Sequence, residues 1–166
     1  MIHWPETMMT YDAESKTLFS CDAFGSYGAL GDRVFDDEFT AEEHKLFEAE
    51  SLRYYSNIVA SFSTFVKKAV EKVGGLEIKT IAPSHGIIWR KNPAAIIARY
   101  VKYAGYNTPD ADGKINAENE VCVVWGSMYG YTKQAVAAVA AGIKESGLPC
   151  TMHQIPQTDF SFVLAD

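Results

Sequence analysis

The chain has 166 residues, with 15 Lys plus Arg against 21 Asp plus Glu and a net charge of -6. With 48% hydrophobic residues it carries too much apolar bulk for a disordered segment, so a folded soluble protein of one or two domains is expected. Nucleic acid is not expected as a ligand, because its binding depends on Lys and Arg. The longest apolar run, residues 135–143, is too short to cross a membrane. We therefore expect a cytoplasmic protein with three reduced, mostly buried cysteines and no membrane partner.

The first 35 residues alternate short apolar stretches with turn residues, as a β region does. Met8–Tyr11 and Thr17–Ser20 are predicted to be two strands joined by a polar turn. The glycine-containing segment Asp22–Arg33 is predicted to be a loop. Because Asp22 directly follows the second strand, its carboxylate is expected at a strand end.

A helical pattern fills the segment from Thr40 to Val73. Apolar residues recur there every three or four positions, which predicts one long helix or two. Thr40 and Glu43 form a capping box, in which hydroxyl and carboxylate satisfy free backbone N–H groups. Gly74-Gly75 is predicted to end this region.

A third strand and another helix are predicted next. Leu76–Ala82 alternates and is β-branched, so it is interpreted as a strand that delivers the loop Pro83–Gly86, with His85 in it. Asn92-Pro93 is typical of a helix start, with Asn as the cap and Pro in the first turn. The helix itself is predicted over Ala94–Tyr103.

The last third of the chain predicts a β-loop-α-β unit. Gly105–Glu120 lacks apolar periodicity and is interpreted as an interdomain linker. Val121–Trp125 is an unbroken apolar run, which predicts a strand buried on both faces. A helix with its apolar face over Ala135–Ile143 and a second strand, Cys150–Ile155, complete a unit expected to have a parallel, right-handed crossover.

The loop Gly126–Thr132 is a candidate phosphate site. Its hydroxyls and backbone N–H groups lie at the positive end of a predicted helix dipole, where an anion is stabilised. It matches neither the Walker loop nor G-x-G-x-x-G, and a plain strand-to-helix turn is the alternative. The neighbouring Trp125, Tyr129 and Tyr131 favour a planar ligand such as a flavin, although they could equally be core or interface residues.

Two histidines and an aspartate form a candidate partial metal set. His3 lies near the N-terminus, while Asp22 and His85 each follow a predicted strand. Imidazole and carboxylate are ordinary ligands of transition metals. Taken singly, a histidine is more often structural or solvated than a metal ligand, and His44 and His153 are weaker candidates.

Read together, these segments resemble the flavodiiron proteins, also called A-type flavoproteins. The resemblance covers nearly the whole chain, in the family's order and on both sides of the predicted linker. It rests on residues 3–8 (His-Trp-Pro-Glu-Thr-Met), 18–25 (Leu-Phe-Ser-Cys-Asp-Ala-Phe-Gly), 35–38 (Phe-Asp-Asp-Glu), 53–58 (Arg-Tyr-Tyr-Ser-Asn-Ile), 82–86 (Ala-Pro-Ser-His-Gly), Trp89-Arg90 and Ser127–Thr132.

The resemblance implies an α/β chain made of two partial domains. Residues 1–117 would be the C-terminal part of a metallo-β-lactamase-like αββα domain that holds a non-haem diiron centre. Residues 118–166 would be the first β-loop-α-β unit of a flavodoxin-like doubly wound sheet that binds FMN. The implied activity is reduction of dioxygen to water, nitric oxide to nitrous oxide, or both, in a head-to-tail homodimer supplied with electrons by rubredoxin or a reduced flavin or deazaflavin cofactor.

Site residues follow from the same resemblance. His3 would ligate one iron, His85 the other, and Asp22 would bridge the two ions. Tyr54 or Tyr55 would line the substrate pocket. Six residues would wrap the FMN phosphate: Ser127, Met128, Tyr129, Gly130, Tyr131 and Thr132.

The chain departs from the family in lacking one ligand motif and the later flavodoxin loops that clasp the isoalloxazine ring. The family's H-x-E-x-D-H run, which supplies four further ligands, is absent from these 166 residues. Three ligands cannot hold a normal diiron centre, so we expect a central fragment of a longer enzyme that has little or no activity by itself. Two alternatives are a flavodoxin-like electron-transfer module without diiron catalysis, disfavoured by His3, Asp22 and His85 together, and a β-lactamase-like metal hydrolase, disfavoured by the flavin-type loop.

Overall fold

A computed structural model of the chain describes residues 2–115 and 120–164. The chain divides into two compact units, Met1–Asn116 and Ala117–Asp166. Part of the predicted linker, residues 116–119, lies outside the described residues. None of the described helices is both long and apolar enough to span a membrane.

The first unit contains a three-stranded sheet. Strands β1 (Thr10–Asp12) and β2 (Thr17–Cys21) are antiparallel, and β2 pairs in parallel with β3 (Thr80–Pro83). The two-strand hairpin predicted from the sequence is confirmed. Strand β3 begins later than predicted, because pairing starts where the N–H groups of Lys79 and Thr80 donate to the carbonyl of Lys16.

Two helices follow, and the sequence pattern predicts either one long helix or two over Thr40–Val73. Helix α1 (Ala41–Tyr54) begins at the predicted capping box, with Glu43 N–H donating to the Thr40 hydroxyl. A wide π-type turn (Tyr55–Val59) and a tight 3-10 turn (Ala60–Phe62) lead into α2 (Ser63–Val73). The helical segment is therefore nearly continuous, but it changes its winding twice after Tyr54.

Helix α3 (Pro93–Asn107) is longer than predicted and corrects the start of the linker. Gly105, placed in the linker by its composition, is buried inside this helix. The Lys67 ammonium donates to the carbonyls of Thr108 and Pro109, at 2.6 and 3.3 Å, which ties the end of α3 to α2. The C-terminal end of α3 is therefore held by a charged side chain from a helix distant in sequence, which the local composition does not reveal.

The core of the first unit is rich in tyrosine. Tyr100 on α3 is fully buried and packs against Tyr55 and Phe24, with ring centroids 5.1 Å apart in both pairs. Its hydroxyl donates to the carbonyl of Gly25 at 2.8 Å. A buried phenol needs such a partner, so α3 directly supports the loop that follows β2.

The second unit is a parallel β-α-β arrangement. Strand β4 (Val121–Trp125) pairs in parallel with β5 (Cys150–Gln154), and α4 (Tyr131–Glu145) connects them. The parallel pairing is confirmed. The prediction that β4 is buried on both faces is wrong, since Val124 is 38% exposed. Within residues 120–164, β4 has β5 as its only strand neighbour. All three cysteines are free thiols, half-buried rather than fully buried.

Asp36 is a buried carboxylate that joins two segments distant in sequence. It accepts hydrogen bonds from the backbone N–H groups of Arg90, Lys91 and Asn92, at 2.8–2.9 Å. The predicted cap of α3 is corrected here, because the Asn92 side chain makes no capping hydrogen bond while its N–H binds Asp36. Burial raises the pKa of Asp36, but the three N–H donors outweigh burial and hold this pKa below its ordinary value.

We predict that Asp36→Asn lowers the free energy of unfolding by about 2 kcal/mol at pH 7, because a charged acceptor of three buried N–H groups is lost. Since the folded-state pKa is depressed, the stabilisation is complete above pH ~4 and is lost as pH falls further. Urea unfolding at pH 7 and pH 3 measures this effect. The difference in free energy of unfolding between Asp36→Asn and the wild type should be smaller at pH 3 than at pH 7. The control Asp37→Asn removes a partly exposed ion pair with Arg90 and should change stability by less than about 1 kcal/mol. Equal losses for both variants would contradict this assignment.

Candidate functional site

The site is built where two parallel strands end side by side. Cys21 at the end of β2 is in register with Pro83 at the end of β3, and Ser84 N–H donates to the Cys21 carbonyl at 2.8 Å. A bulge interrupts the pairing between Phe19 and Cys21. Bulges turn the chain and redirect side chains, so the residues that follow both strands project to one place.

Asp22 and His85 are the residues that these strand ends deliver. The His85 Nε2 atom lies 3.6 Å from Asp22 Oδ1, with the Asp22 side chain 15% exposed and the His85 side chain 58% exposed. Two ligand atoms that each lie about 2.1 Å from one transition-metal ion cannot be more than ~4.2 Å apart. The observed separation therefore fits an imidazole and a carboxylate that share a metal ion.

A cavity of about 570 Å³ surrounds this pair. His3 also lies on its wall, so all three residues predicted to bind metal line the same cavity. The His3 ring packs edge-on against Trp4 and Phe62. Across residues 2–115 and 120–164, no three His, Cys, Asp or Glu side chains group closely enough to hold a metal ion by themselves. The two imidazoles and the carboxylate are ligand types that suit a transition metal, but they are too few to complete its coordination.

The two candidate pocket tyrosines lie in different places. Tyr54 lines the cavity, with its ring 5.9 Å from that of His85 and its hydroxyl donating to the Asp22 carbonyl at 3.2 Å. Burial and the nearby Asp22 carboxylate raise the pKa of Tyr54 well above its ordinary value. The phenol therefore stays protonated at neutral pH.

Tyr55 lies in the core instead. It is fully buried, its hydroxyl shares a hydrogen bond with Ser63 Oγ at 2.6 Å, and burial raises its pKa to about 12. Consecutive residues of a helix point about 100° apart, which separates the two tyrosines. Of the two, only Tyr54 is among the residues that line this cavity.

Sequence reasoning missed other cavity residues. Tyr27 lines the cavity, packs edge-on against Tyr54 and lies under the guanidinium of Arg53, 4.7 Å from the ring centroid. A single aromatic residue in a loop has no periodicity that could reveal it. Ser26 also lines the cavity, and its position in a loop between Gly25 and Tyr27 gave no chemical signal.

The loop before α4 presents backbone groups to an anion. Helix α4 begins at Tyr131, and its cap residue, Gly130, has a left-handed φ of 86° and no capping side chain. The first N–H groups of a helix have no partner within that helix, so they are donors for a phosphate. Gly130 N–H donates to Ser127 Oγ at 2.9 Å, which closes the loop. This geometry suits the phosphate of a mononucleotide.

The side chains of the same loop face solvent. Met128, Tyr129 and Tyr131 are all at least 80% exposed, and Gly130 and Thr132 are exposed as well. None of the three large side chains is needed for the packing of the second unit. Their exposure leaves them available for contact with a bound ligand.

Comparison with known proteins identifies relatives along the whole chain. A sequence model described as ODP family beta lactamase matches residues 1–86. The chain is 34% identical to a nitric oxide reductase of Moorella thermoacetica, covering 100% of this chain and 39% of that protein. It is 33% identical to an anaerobic nitric oxide reductase flavorubredoxin of Aeromonas hydrophila, covering 99% of this chain and 31% of that protein. The chain thus spans well under half of the length of these relatives.

Solved structures give the same result. The rubredoxin oxygen:oxidoreductase of Desulfovibrio gigas matches with a TM-score of 0.82 and 26% identity, over 99% of this chain and 39% of that one. The flavodiiron protein of Giardia intestinalis matches with a TM-score of 0.80 and 30% identity, over 98% and 37%. These neighbours confirm the predicted fold class, the end of a β-lactamase-like domain followed by the start of a flavodoxin-like one. The chain therefore belongs to the ODP family of β-lactamases, and its homologues are flavodiiron proteins.

Proposed function

We propose that this chain is the central part of a flavodiiron oxidoreductase, which reduces dioxygen to water, nitric oxide to nitrous oxide, or both. The observation that carries the proposal is the 3.6 Å approach of His85 to Asp22 on a cavity that His3 also lines. The names of the relatives, a nitric oxide reductase and a rubredoxin oxygen:oxidoreductase, support this class of reaction. We assign residues 1–117 to the diiron domain and 118–166 to the FMN-binding domain.

Three residues of the chain would hold the two non-haem iron ions. His3 would ligate one ion and His85 the other, while Asp22 would bridge them, because a carboxylate has two oxygens that can serve two cations. Three protein ligands are too few for two ions. The remaining ligands must come from sequence outside these 166 residues, so the chain alone is expected to be inactive.

When both groups are bound, FMN supplies one-electron transfer and non-haem iron supplies the reduction of dioxygen or nitric oxide. The chain's own residues shape the cavity in which this occurs. Tyr54 keeps its hydroxyl proton at neutral pH, as an ordinary phenol does, and burial raises its pKa further. It remains a hydrogen-bond donor beside His85, and with Tyr27 it forms an aromatic part of the wall.

Six residues would contact the FMN phosphate: Ser127, Met128, Tyr129, Gly130, Tyr131 and Thr132. Helix α4 begins after the left-handed Gly130 without a capping side chain, and the positive end of a helix dipole suits a doubly negative phosphate. Ser127 holds the loop closed through the Gly130 N–H. The exposed tyrosines offer flat surfaces to an aromatic ring.

The electron donor and the assembly follow from the same proposal. Rubredoxin, or a reduced flavin or deazaflavin cofactor, would reduce the FMN, and the names rubredoxin oxygen:oxidoreductase and flavorubredoxin among the relatives support the first of these. A head-to-tail homodimer would bring the flavin of one subunit to the iron site of another. The protein is expected to work in the cytoplasm.

We predict that Asp22→Asn in the full-length protein abolishes bound iron and lowers dioxygen or nitric oxide consumption at least 100-fold. The amide cannot bridge two cations, whereas reduction of FMN by its donor should continue at the wild-type rate. Metal analysis, gas-electrode assays and flavin absorbance measure the three quantities. Asp32→Asn, an exposed carboxylate of the same loop, is the control and should change none of them. Unchanged gas consumption in Asp22→Asn would contradict the role of Asp22 as a metal bridge.

The two neighbouring tyrosines should respond differently to removal of the hydroxyl. We predict that Tyr54→Phe lowers turnover up to about tenfold, because it removes a donor at the cavity, and lowers the free energy of unfolding by no more than about 1 kcal/mol, through loss of the 3.2 Å hydrogen bond to the Asp22 carbonyl. Tyr55→Phe should lower the free energy of unfolding by about 1 kcal/mol, through loss of the Ser63 hydrogen bond, and leave turnover unchanged. Turnover and urea unfolding of both variants check this. The reverse pattern would contradict the placement of Tyr54 at the reactive cavity.

Removal of the Ser127 hydroxyl should weaken FMN binding about tenfold, because the loop loses the hydrogen bond that closes it. Fluorescence titration of FMN into the flavin-free protein measures this change. Ser146→Ala is the matched control at the other end of α4, where the hydroxyl donates to the Ile143 carbonyl. It should leave FMN affinity unchanged, and equal affinities for both variants would exclude this loop as the phosphate site.

A further inference from the structure

The residue after His85 is packed more closely than any side chain would permit. Gly86 has a left-handed φ of 81°, and a Cβ atom on it would lie 2.1 Å from Ser26 Oγ and 2.9 Å from Ser26 N. Such distances are well inside van der Waals contact. Both the backbone angle and the space at this position therefore require glycine.

The contact between Gly86 and Ser26 is one of several contacts that join the loop carrying Asp22 to the loop carrying His85. Before these residues, Ser84 N–H donates to the Cys21 carbonyl at 2.8 Å. After them, Ser26 N–H donates to the His85 carbonyl at 3.3 Å, beside the contact of Ser26 with Gly86. The two segments that carry the candidate ligands are thus hydrogen-bonded to each other at two points.

We propose that Ser26 and Gly86 are positioning residues that set the spacing of the Asp22 carboxylate and the His85 imidazole before a metal ion binds. Neither residue would be a ligand. Ser26 fills the space that a Cβ on Gly86 would occupy, so the loop that carries His85 lies directly against the loop that carries Asp22. This inference rests on the proposed function, because it concerns the same metal site.

The physical reason is preorganisation. Residues that orient ligands influence metal affinity by about 10- to 100-fold without touching the ion. The His85 Nε2 and Asp22 Oδ1 atoms are now 3.6 Å apart. If the Gly86 loop were displaced, His85 would move away from Asp22, and the distance between these atoms would become too long for both to bind one ion. The effect should therefore appear in metal affinity rather than in overall folding.

A matched control separates this effect from the strain of a left-handed side chain. Gly31 lies in the same unit and also has a left-handed φ, of 63°, but a Cβ atom there would meet no atom of the described residues within 4 Å. Gly31→Ala therefore carries the backbone strain alone. Gly86→Ala carries the strain together with the steric conflict with Ser26.

The experiment is an anaerobic Fe²⁺ titration of the full-length protein against a chromophoric chelator, with thermal unfolding of the metal-free protein in parallel. We expect Gly86→Ala to weaken Fe²⁺ affinity at least tenfold relative to Gly31→Ala. Ser26→Gly, which removes the contacting hydroxymethyl group without a clash, should weaken it several-fold. In the Ser26→Gly background the further loss from Gly86→Ala should be smaller than in the wild type, because the clash with Oγ is gone.

The outcomes show whether the positioning role alone fails or whether the proposed function fails with it. If Gly86→Ala binds Fe²⁺ as tightly as Gly31→Ala, the positioning role is overturned and the diiron proposal is untouched. Ser26→Gly keeps the test decisive if Gly86→Ala does not fold, since unchanged affinity in Ser26→Gly overturns the role as well. If the wild-type protein binds no Fe²⁺, or if Asp22→Asn binds it as tightly, both the proposed function and this inference are wrong.

Discussion

The parallel pairing of β2 with β3 is the constraint on which the site depends. Cys21 and Pro83, at the ends of the two strands, are 62 residues apart in the sequence but in register in the sheet, and this pairing places Asp22 beside His85. The turn after β2 is strained, since Cys21 and Phe24 have φ values of 54° and 66° although neither is glycine. Strain of this kind persists only where surrounding contacts fix the conformation, and it is concentrated at functional sites.

Those contacts come from the core and from α3. The Ser20 hydroxyl donates to the Ala23 carbonyl inside the turn, and the Tyr100 hydroxyl donates to the carbonyl of Gly25. The start of α3 is fixed in its turn by the Asp36 carboxylate. The cavity wall is therefore supported by a buried hydrogen-bond network that extends well beyond the residues that would touch a ligand.

The features that sequence reasoning predicted well are local ones. The capping box of Thr40 and Glu43 depends on residues three positions apart, and the hairpin of β1 and β2 on a short turn, so both can be read directly. The three capping bonds of Asp36 span 54 to 56 residues and leave no local pattern. The end of α3 depends on Lys67, more than 40 residues earlier, which explains why composition misplaced the linker. Motif similarity predicted His3, Asp22 and His85, which all line one cavity, but periodicity alone could not choose between Tyr54 and Tyr55.

Because of the wide turn after Tyr54, the number of residues in the helical segment decides which side chain faces the cavity, more than the identity of most of those residues does. A π-type turn amounts to one extra residue accommodated within a helix, and one residue corresponds to about 100° of rotation. The residues before Tyr55 are therefore rotated relative to α2 by an amount that this turn sets together with the 3-10 turn that follows it. Sequences aligned as one regular helix across this point would assign their aromatic residues to the wrong face, so a relative one residue shorter here would present a different side chain to the cavity.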